Sequence, residues 1–208
     1  NVWDEVLEEI EEGNIRNYSI YLGEVGPGEY YLFNYLEYVG SDMEEDSARM
    51  AENIKMQEWW EMTLPLLEPV EVRGEGEVAA EWEEVFHFEG SEYEGEPTKR
   101  VGSIIGIEEK DILAYTQMHE SVWSGVLESI DRNNIRNYSI YLGQIEPGEF
   151  LLFSYFEYIG DDFEGDMAQI GDKVTQVWWS YTDPLQVPLE TRKEGEHWAT
   201  MEEVFHTD

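Results

Sequence analysis

Four histidines, His87, His119, His197 and His206, are the side chains of this sequence suited to exchanging a proton near neutral pH. His119 stands four residues after Tyr115, so both project from the same side of a helix. That spacing suits a hydrogen-bonded core pair, and it also sets a titratable ring beside a phenol. His87 and His206 each follow a Val-Phe pair and read as strand-end residues. His197 follows a polar run at 194–196 and reads as exposed. Two tryptophan pairs, Trp59-Trp60 and Trp178-Trp179, send their rings in different directions from a helix, so one ring can sit in a core while the other lines a cavity. Aromatic faces suit the C–H faces of a sugar ring, and Tyr hydroxyls suit its polar edges. Packing alone is the simpler reading of such pairs. Glu8, Glu9, Glu11 and Glu12 form a solvated helix face. The sequence has no phosphate-cradling glycine loop, nucleotide fingerprint, Ser nucleophile elbow or HExxH. No three His and carboxylates fall at metal-ligand spacing, so neither a metal nor another cofactor is expected. With no cysteine, disulfides and thiolate chemistry are excluded.

The charge narrows the partners. The 208 residues carry 12 Lys+Arg against 48 Asp+Glu, a formal net charge of −36. Such a surface does not favour duplex nucleic acid, which needs clustered Lys and Arg, nor an anionic membrane. A hydrophobic share of 41% with 14% aromatic residues is enough for a core, so the acidity does not signal disorder. No apolar run approaches the ~20 residues of a membrane span, no signal peptide is visible, and a cytoplasmic location is expected. Acid-rich, Lys-poor surfaces keep a protein hydrated in high salt, where self-repulsion is screened. A salt-adapted protein is therefore one reading of the charge, and an ordinary acidic protein is the other.

The elements that would position these side chains occur twice. Residues 14–23 read NIRNYSIYLG, and residues 134–143 read the same ten letters, an offset of 120. The match runs outward to Val2-Trp3 and Val122-Trp123. It resumes at an offset of 119 with the two Trp pairs and with EEVFH at 83–87 and 202–206. This is a duplicated domain of about a hundred residues, not a short-period solenoid. The boundaries read as a first repeat at 1–90, a linker at 91–98 and a second repeat at 99–208. The second repeat has about twenty residues upstream that the first lacks, so the first repeat is expected to miss its leading strand and part of its first helix.

In the second repeat, residues 100–107 (RVGSIIGI) read as a strand. Residues from about 109 to 131 read as one helix whose stripe is Ile112, Tyr115, His119, Val122, Val126 and Ile130. Strands follow at 138–142 and 150–159, joined by the turn Glu146-Pro147-Gly148-Glu149. A second helix runs from about 162 to 181 and stops near Pro184. Residues 200–206 read as the closing strand. The order β-α-β-β-α-β is the ferredoxin-like arrangement of an α+β fold, with helices on one face of an antiparallel sheet. The other face needs a cover, which a second copy in the same chain can supply sheet to sheet.

Each copy resembles the L-rhamnose mutarotase family. The resemblance rests on Tyr115-x-x-x-His119 followed by Val122-Trp123, the strand Asn137-Tyr138-Ser139-Ile140-Tyr141-Leu142, the Trp178-Trp179 pair and Glu203-Val204-Phe205. It spans nearly all of the second copy. It implies a dimeric α+β barrel, here an intramolecular pseudo-dimer that can assemble further. It implies a monosaccharide substrate, with no cofactor, nucleic acid or membrane partner. By the same resemblance His119 matches the proton-donor histidine, and Tyr115 and Tyr138 match sugar-contacting tyrosines. Trp178 and Trp179 match the tryptophan pair. In the first copy Tyr18, Trp59 and Trp60 match the binding positions. The family often has Pro directly after the helix Trp, where this chain has Ser124 and Asp4.

The implied reaction is interconversion of the α and β anomers of L-rhamnose or a related sugar. One proton must reach the ring oxygen while another leaves the anomeric hydroxyl, and reclosure reverses both transfers. A group titrating near neutrality serves both directions. Two rivals stand beside this reading. One is a sugar-binding or regulatory module that keeps the pocket without catalysis. The other, haem degradation, rests on fold analogy alone.

Overall fold

The computed structural model describes residues 2–208. The first half runs α1 (Asp4–Glu12), β1 (Ile15–Gly26), β2 (Glu29–Tyr38), α2 (Met43–Glu52), α3 (Ile54–Thr63), a 3-10 turn (Leu64–Leu66) and β3 (Glu83–Phe88). The second runs β4 (Lys99–Ile107), α4 (Glu109–His119), α5 (Ser124–Arg132), β5 (Ile135–Glu146), β6 (Glu149–Tyr158), α6 (Phe163–Ile170) and α7 (Lys173–Thr182). A 3-10 turn (Asp183–Leu185), β7 (Gln186–Val187), β8 (Ala199–Thr200) and β9 (Glu202–Thr207) close the chain. Among the described residues no helix is long and apolar enough to cross a membrane.

The α+β class holds, and each expected strand of the second repeat is present. Two expected helices are each broken. Residues 109–131 form α4 and α5, separated at 120–123, where Trp123 is extended at φ −63 and ψ 135. No Gly or Pro marks this break. It turns Val122 onto the sheet beside Tyr115 and Ile112, and it sets the Trp123 ring edge-on to Trp178 at 5.4 Å. Val122 is partly buried against those residues, and the Trp123 contact with Trp178 is made at the surface. The later helix breaks at Gly171-Asp172. The Asp172 carboxylate caps α7 by accepting from the amides of Val174 and Thr175, which is how an N-cap restarts a helix.

The closing strands are exchanged. β9, from the end of the chain, lies beside β1 in a three-stranded sheet of order β2-β1-β9. β3, from the first half, pairs antiparallel with β5 in a sheet of order β3-β5-β6-β4-β7. The edge beside β4 carries the short strands β7 and β8. The chain accordingly forms two compact units. One comprises residues 1–21, 32–69 and 203–208, and the other residues 22–31 and 70–202.

In the larger unit β5 and β6 form a hairpin whose turn holds Gly148 at φ 87, a backbone conformation that favours glycine. The core under α4 is built from Phe86, Ile105, Ile107, Tyr115, Ile140 and Leu152. Val126, Ile130, Ile135 and Trp178 continue it under α5 and α7. In the smaller unit Val6, Ile10, Met50 and Met56 form the core, with Trp3, Tyr18, Trp59, Trp60 and Phe205 packed around it.

The repeated NIRN segment is a backbone device. Asn134 and Asn137 have φ 60 and 46, and Asn14 and Asn17 have φ 58 and 46. Asn tolerates this left-handed region better than other side-chain-bearing residues. Asn137 lies in an irregularity of the β5–β6 register between Arg136 and Ser139. Such a bulge re-aims the neighbouring side chain, here Tyr138, and the Asn137 amide is held by donating to Glu157 Oε1 at 3.1 Å.

Candidate functional site

α4 ends on His119, and the break that follows leaves its ring at the helix end. His119 Nδ1 lies 2.9 Å from the Tyr115 carbonyl oxygen. A carbonyl only accepts, so Nδ1 carries the proton and donates it, and the neutral ring keeps its lone pair on Nε2. The two side chains expected to share a helix face do so closely. The Tyr115 and His119 rings stack at 4.1 Å with 29° between planes. Phe86 and Trp178 each meet the imidazole edge-on, at 5.8 and 5.5 Å. Tyr138 is edge-on to the same Phe86 at 5.5 Å. One aromatic cluster therefore gathers residues from α4, α7, β5 and the exchanged strand β3.

His119 also lines a recess of about 390 Å³ together with Glu84, Val85, Phe86, His87, Glu120, Ser121, Val122 and Leu127. Nε2 has no hydrogen-bond partner among the described residues. Burial pushes the His119 pKa below its ordinary 6.5, opposed by the bond to the Tyr115 carbonyl. Burial pushes Tyr138 up to about 12 and Tyr115 well above 10, where nearby Tyr138 adds to the rise. At neutral pH the cluster thus offers one uncharged imidazole base and two protonated phenols. Among the described residues no group of His, Asp and Glu is placed to hold a metal ion.

The other residues picked from the sequence divide. Trp178 is buried at 5% exposure, while Trp179, at 38%, turns away and lies over Gly171. The structure brings Trp178 to His119 and does not bring Trp179 there. In the smaller unit Tyr18 is edge-on to Phe205 at 5.5 Å, and Trp59 is edge-on to Trp3 at 5.4 Å. Trp60 packs on the same core. His87 and His206 are matched strand residues, with Nδ1 2.9 Å from the hydroxyls of Ser139 and Ser19. His197, expected to be exposed, is half-buried, because its Nε2 reaches Gln186 Oε1 at 2.8 Å.

Phe86 and Trp123 were missed as walls of the cluster. Each has a repeated counterpart in the sequence, Phe205 and Trp3, and that repetition was the available signal. Gln186 was missed for want of any signal. It follows the Asp183–Leu185 turn in a segment without periodicity.

A family model described as L-rhamnose mutarotase matches the chain twice, over residues 1–88 and 100–207. The L-rhamnose mutarotase of Bacillus subtilis (strain 168) is 30% identical over 111 residues, covering 53% of this chain and 99% of that protein. The L-rhamnose mutarotase of Shouchella clausii (strain KSM-K16) is 28% identical over 92 residues, covering 44% of this chain and 82% of that protein. Each relative is thus the length of one repeat, and the family pattern is present in both halves. The chain belongs to the L-rhamnose mutarotase family, isomerases that interconvert sugar anomers, as a tandem duplication.

Proposed function

We propose that this chain is a mutarotase acting on L-rhamnose or a closely related sugar, with proton transfer carried by His119. The observation that carries the reading is the state of the imidazole. It is neutral, fixed through Nδ1, walled by aromatic rings and unpartnered at Nε2. In the ring-closed sugar, Nε2 takes the proton of the anomeric hydroxyl. Those electrons form the C1 carbonyl, the bond from C1 to the ring oxygen breaks, and the ring oxygen is protonated by a neighbouring hydroxyl or water. Rotation about C1–C2 presents the other carbonyl face. On reclosure the hydroxyl that attacks C1 gives its proton back to the hydroxyl or water that supplied it, and the imidazolium returns its proton to the anomeric oxygen, so His119 serves as base and then as acid. Tyr115 and Tyr138 orient the sugar hydroxyls, and Trp178 packs the ring, while Trp179, matched by the resemblance, stands outside this cluster. Tyr18, Trp59 and Trp60 are the corresponding binding residues of the first copy. The two copies are taken as residues 1–90 and 99–208.

The test is the anomer exchange rate of L-rhamnose measured by NMR. His119→Ala should slow exchange by about 10²- to 10⁴-fold, the usual worth of a positioned acid-base group. Equal exchange by both proteins at matched concentration overturns the assignment. Saturable sugar binding by the unmodified protein with no faster exchange supports the non-catalytic rival instead.

A further inference from the structure

Tyr115 is 1% exposed, yet its hydroxyl has one hydrogen-bond neighbour among the described residues, Gln186 Nε2 at 3.3 Å. An amide nitrogen only donates, so this contact uses a lone pair of the phenol oxygen and leaves the phenol hydrogen without an acceptor. The orientation of the amide follows from its other end. Gln186 Oε1 lies 2.8 Å from His197 Nε2, and that nitrogen also lies 3.8 Å from Asp183 Oδ1. Both oxygens accept, so Nε2 of His197 carries a proton and Oε1 is turned towards it. The amide nitrogen is then left to face Tyr115. A buried O–H with no acceptor is destabilising, and a ligand oxygen that accepts from it removes that cost.

The fold of this segment does not require the three polar groups. At the 119-residue offset the first copy has Leu64, Leu67 and Val78 in place of Asp183, Gln186 and His197. The same 3-10 turn forms there on Leu64–Leu66, with its proline likewise near the start. Apolar side chains thus suffice for the turn, and the polar chain occurs in the copy that carries Tyr115.

We propose that Gln186, held by His197 and Asp183, is a positioning residue that fixes the Tyr115 hydroxyl as a hydrogen-bond donor to an oxygen of the bound sugar. This rests on the reading of the Tyr115–His119 cluster as the sugar site. It makes that site complementary on its two sides. Nε2 of His119 accepts a proton from the sugar, while Tyr115 donates a hydrogen bond to an oxygen that itself accepts.

The test is a double-mutant cycle on the full chain, read by L-rhamnose exchange and by L-rhamnose binding. Gln186→Leu installs the side chain found at the equivalent position of the first copy. It should keep the melting temperature and lower kcat/KM about ten-fold, the worth of ~1.4 kcal/mol of oriented hydrogen bonding. Gln186→Glu keeps the shape but offers the phenol an acceptor, so it should lose at least as much as Gln186→Leu. In a Tyr115→Phe background both changes should alter the rate by less than about two-fold. Additive losses in that background overturn the proposal, as does a Gln186→Glu variant with unchanged kinetics. If the unmodified protein accelerates no exchange, the mutarotase reading falls and the same cycle is read by binding alone. Coupled losses of affinity then sustain the proposal. Independent losses, or no L-rhamnose binding, overturn it.

Discussion

At the scale of single residues, the position of His119 at a helix end pulls its acidity in two directions. A helix C-terminus favours a cation by about 0.3–1 kcal/mol, and burial disfavours one. Burial dominates here, because the net shift is downward from 6.5. A base must be uncharged to act, so it works above its pKa and fails as acid protonates it. The kcat/KM of mutarotation should therefore stay level as pH falls through 6.5 and drop on a limb centred below that value. An acid limb centred at or above 6.5 in a rate-pH series contradicts the assignment. The pairing of Tyr115 with His119 was legible because four-residue spacing on a helix is a local property. Phe86 was not, since it reaches the imidazole from a strand more than thirty residues away in sequence, and nothing in EEVFH states which helix it will meet.

At the scale of elements, strands were readable and their interruptions were not. β-Branched content marked β4, and an apolar, aromatic run marked β6, each to within a residue or so. The break between α4 and α5 left no Gly or Pro as a sign, because it is driven by where Val122 and Trp123 find partners. The asparagines of NIRN were visible as letters, but their role lies in backbone angles. Asn137 at φ 46 should discriminate between two substitutions that both delete its amide. Asn137→Ala should be less stable than Asn137→Gly by about 1 kcal/mol, the penalty of the left-handed region for a residue with a Cβ. Chemical denaturation of the two variants checks the difference, and equal midpoints would remove the backbone account. The exchange of closing strands was illegible for a simpler reason. β3 and β9 share the letters EEVFH, so no local feature separates a strand's own sheet from the other.

At the scale of the whole molecule, that exchange ties each half of the chain into a sheet of the other half. A protease site introduced within residues 91–97 should yield two fragments that co-elute in gel filtration under native conditions. Each sheet contains a strand from each fragment. Fragments that separate without denaturant contradict the pairing. The net charge of −36 acts on the same scale. Mutual repulsion among carboxylates reaches ~10 Å at 0.1 M salt and only ~3 Å at 1 M. If the composition is an adaptation to salt, the melting temperature should climb by several degrees between those concentrations of KCl. A flat profile would mark the protein as merely acidic.

The chain also has a direction of synthesis, and the exchanged strands impose an order on it. His87 of β3 meets Ser139 across 52 residues, whereas Ser19 meets Glu203 of β9 across 184. The extra loop entropy is small, about 1 kcal/mol. The delay is not. At ~5–20 residues per second, roughly 10–40 s pass between translation of β1 and translation of its last neighbour. The larger sheet can acquire its first-half strand once β5 is made, while the smaller one waits with an open edge until β9 is made. The sheet that holds β1 is thus completed only after β9 is made, later than the sheet that holds β5 gains β3.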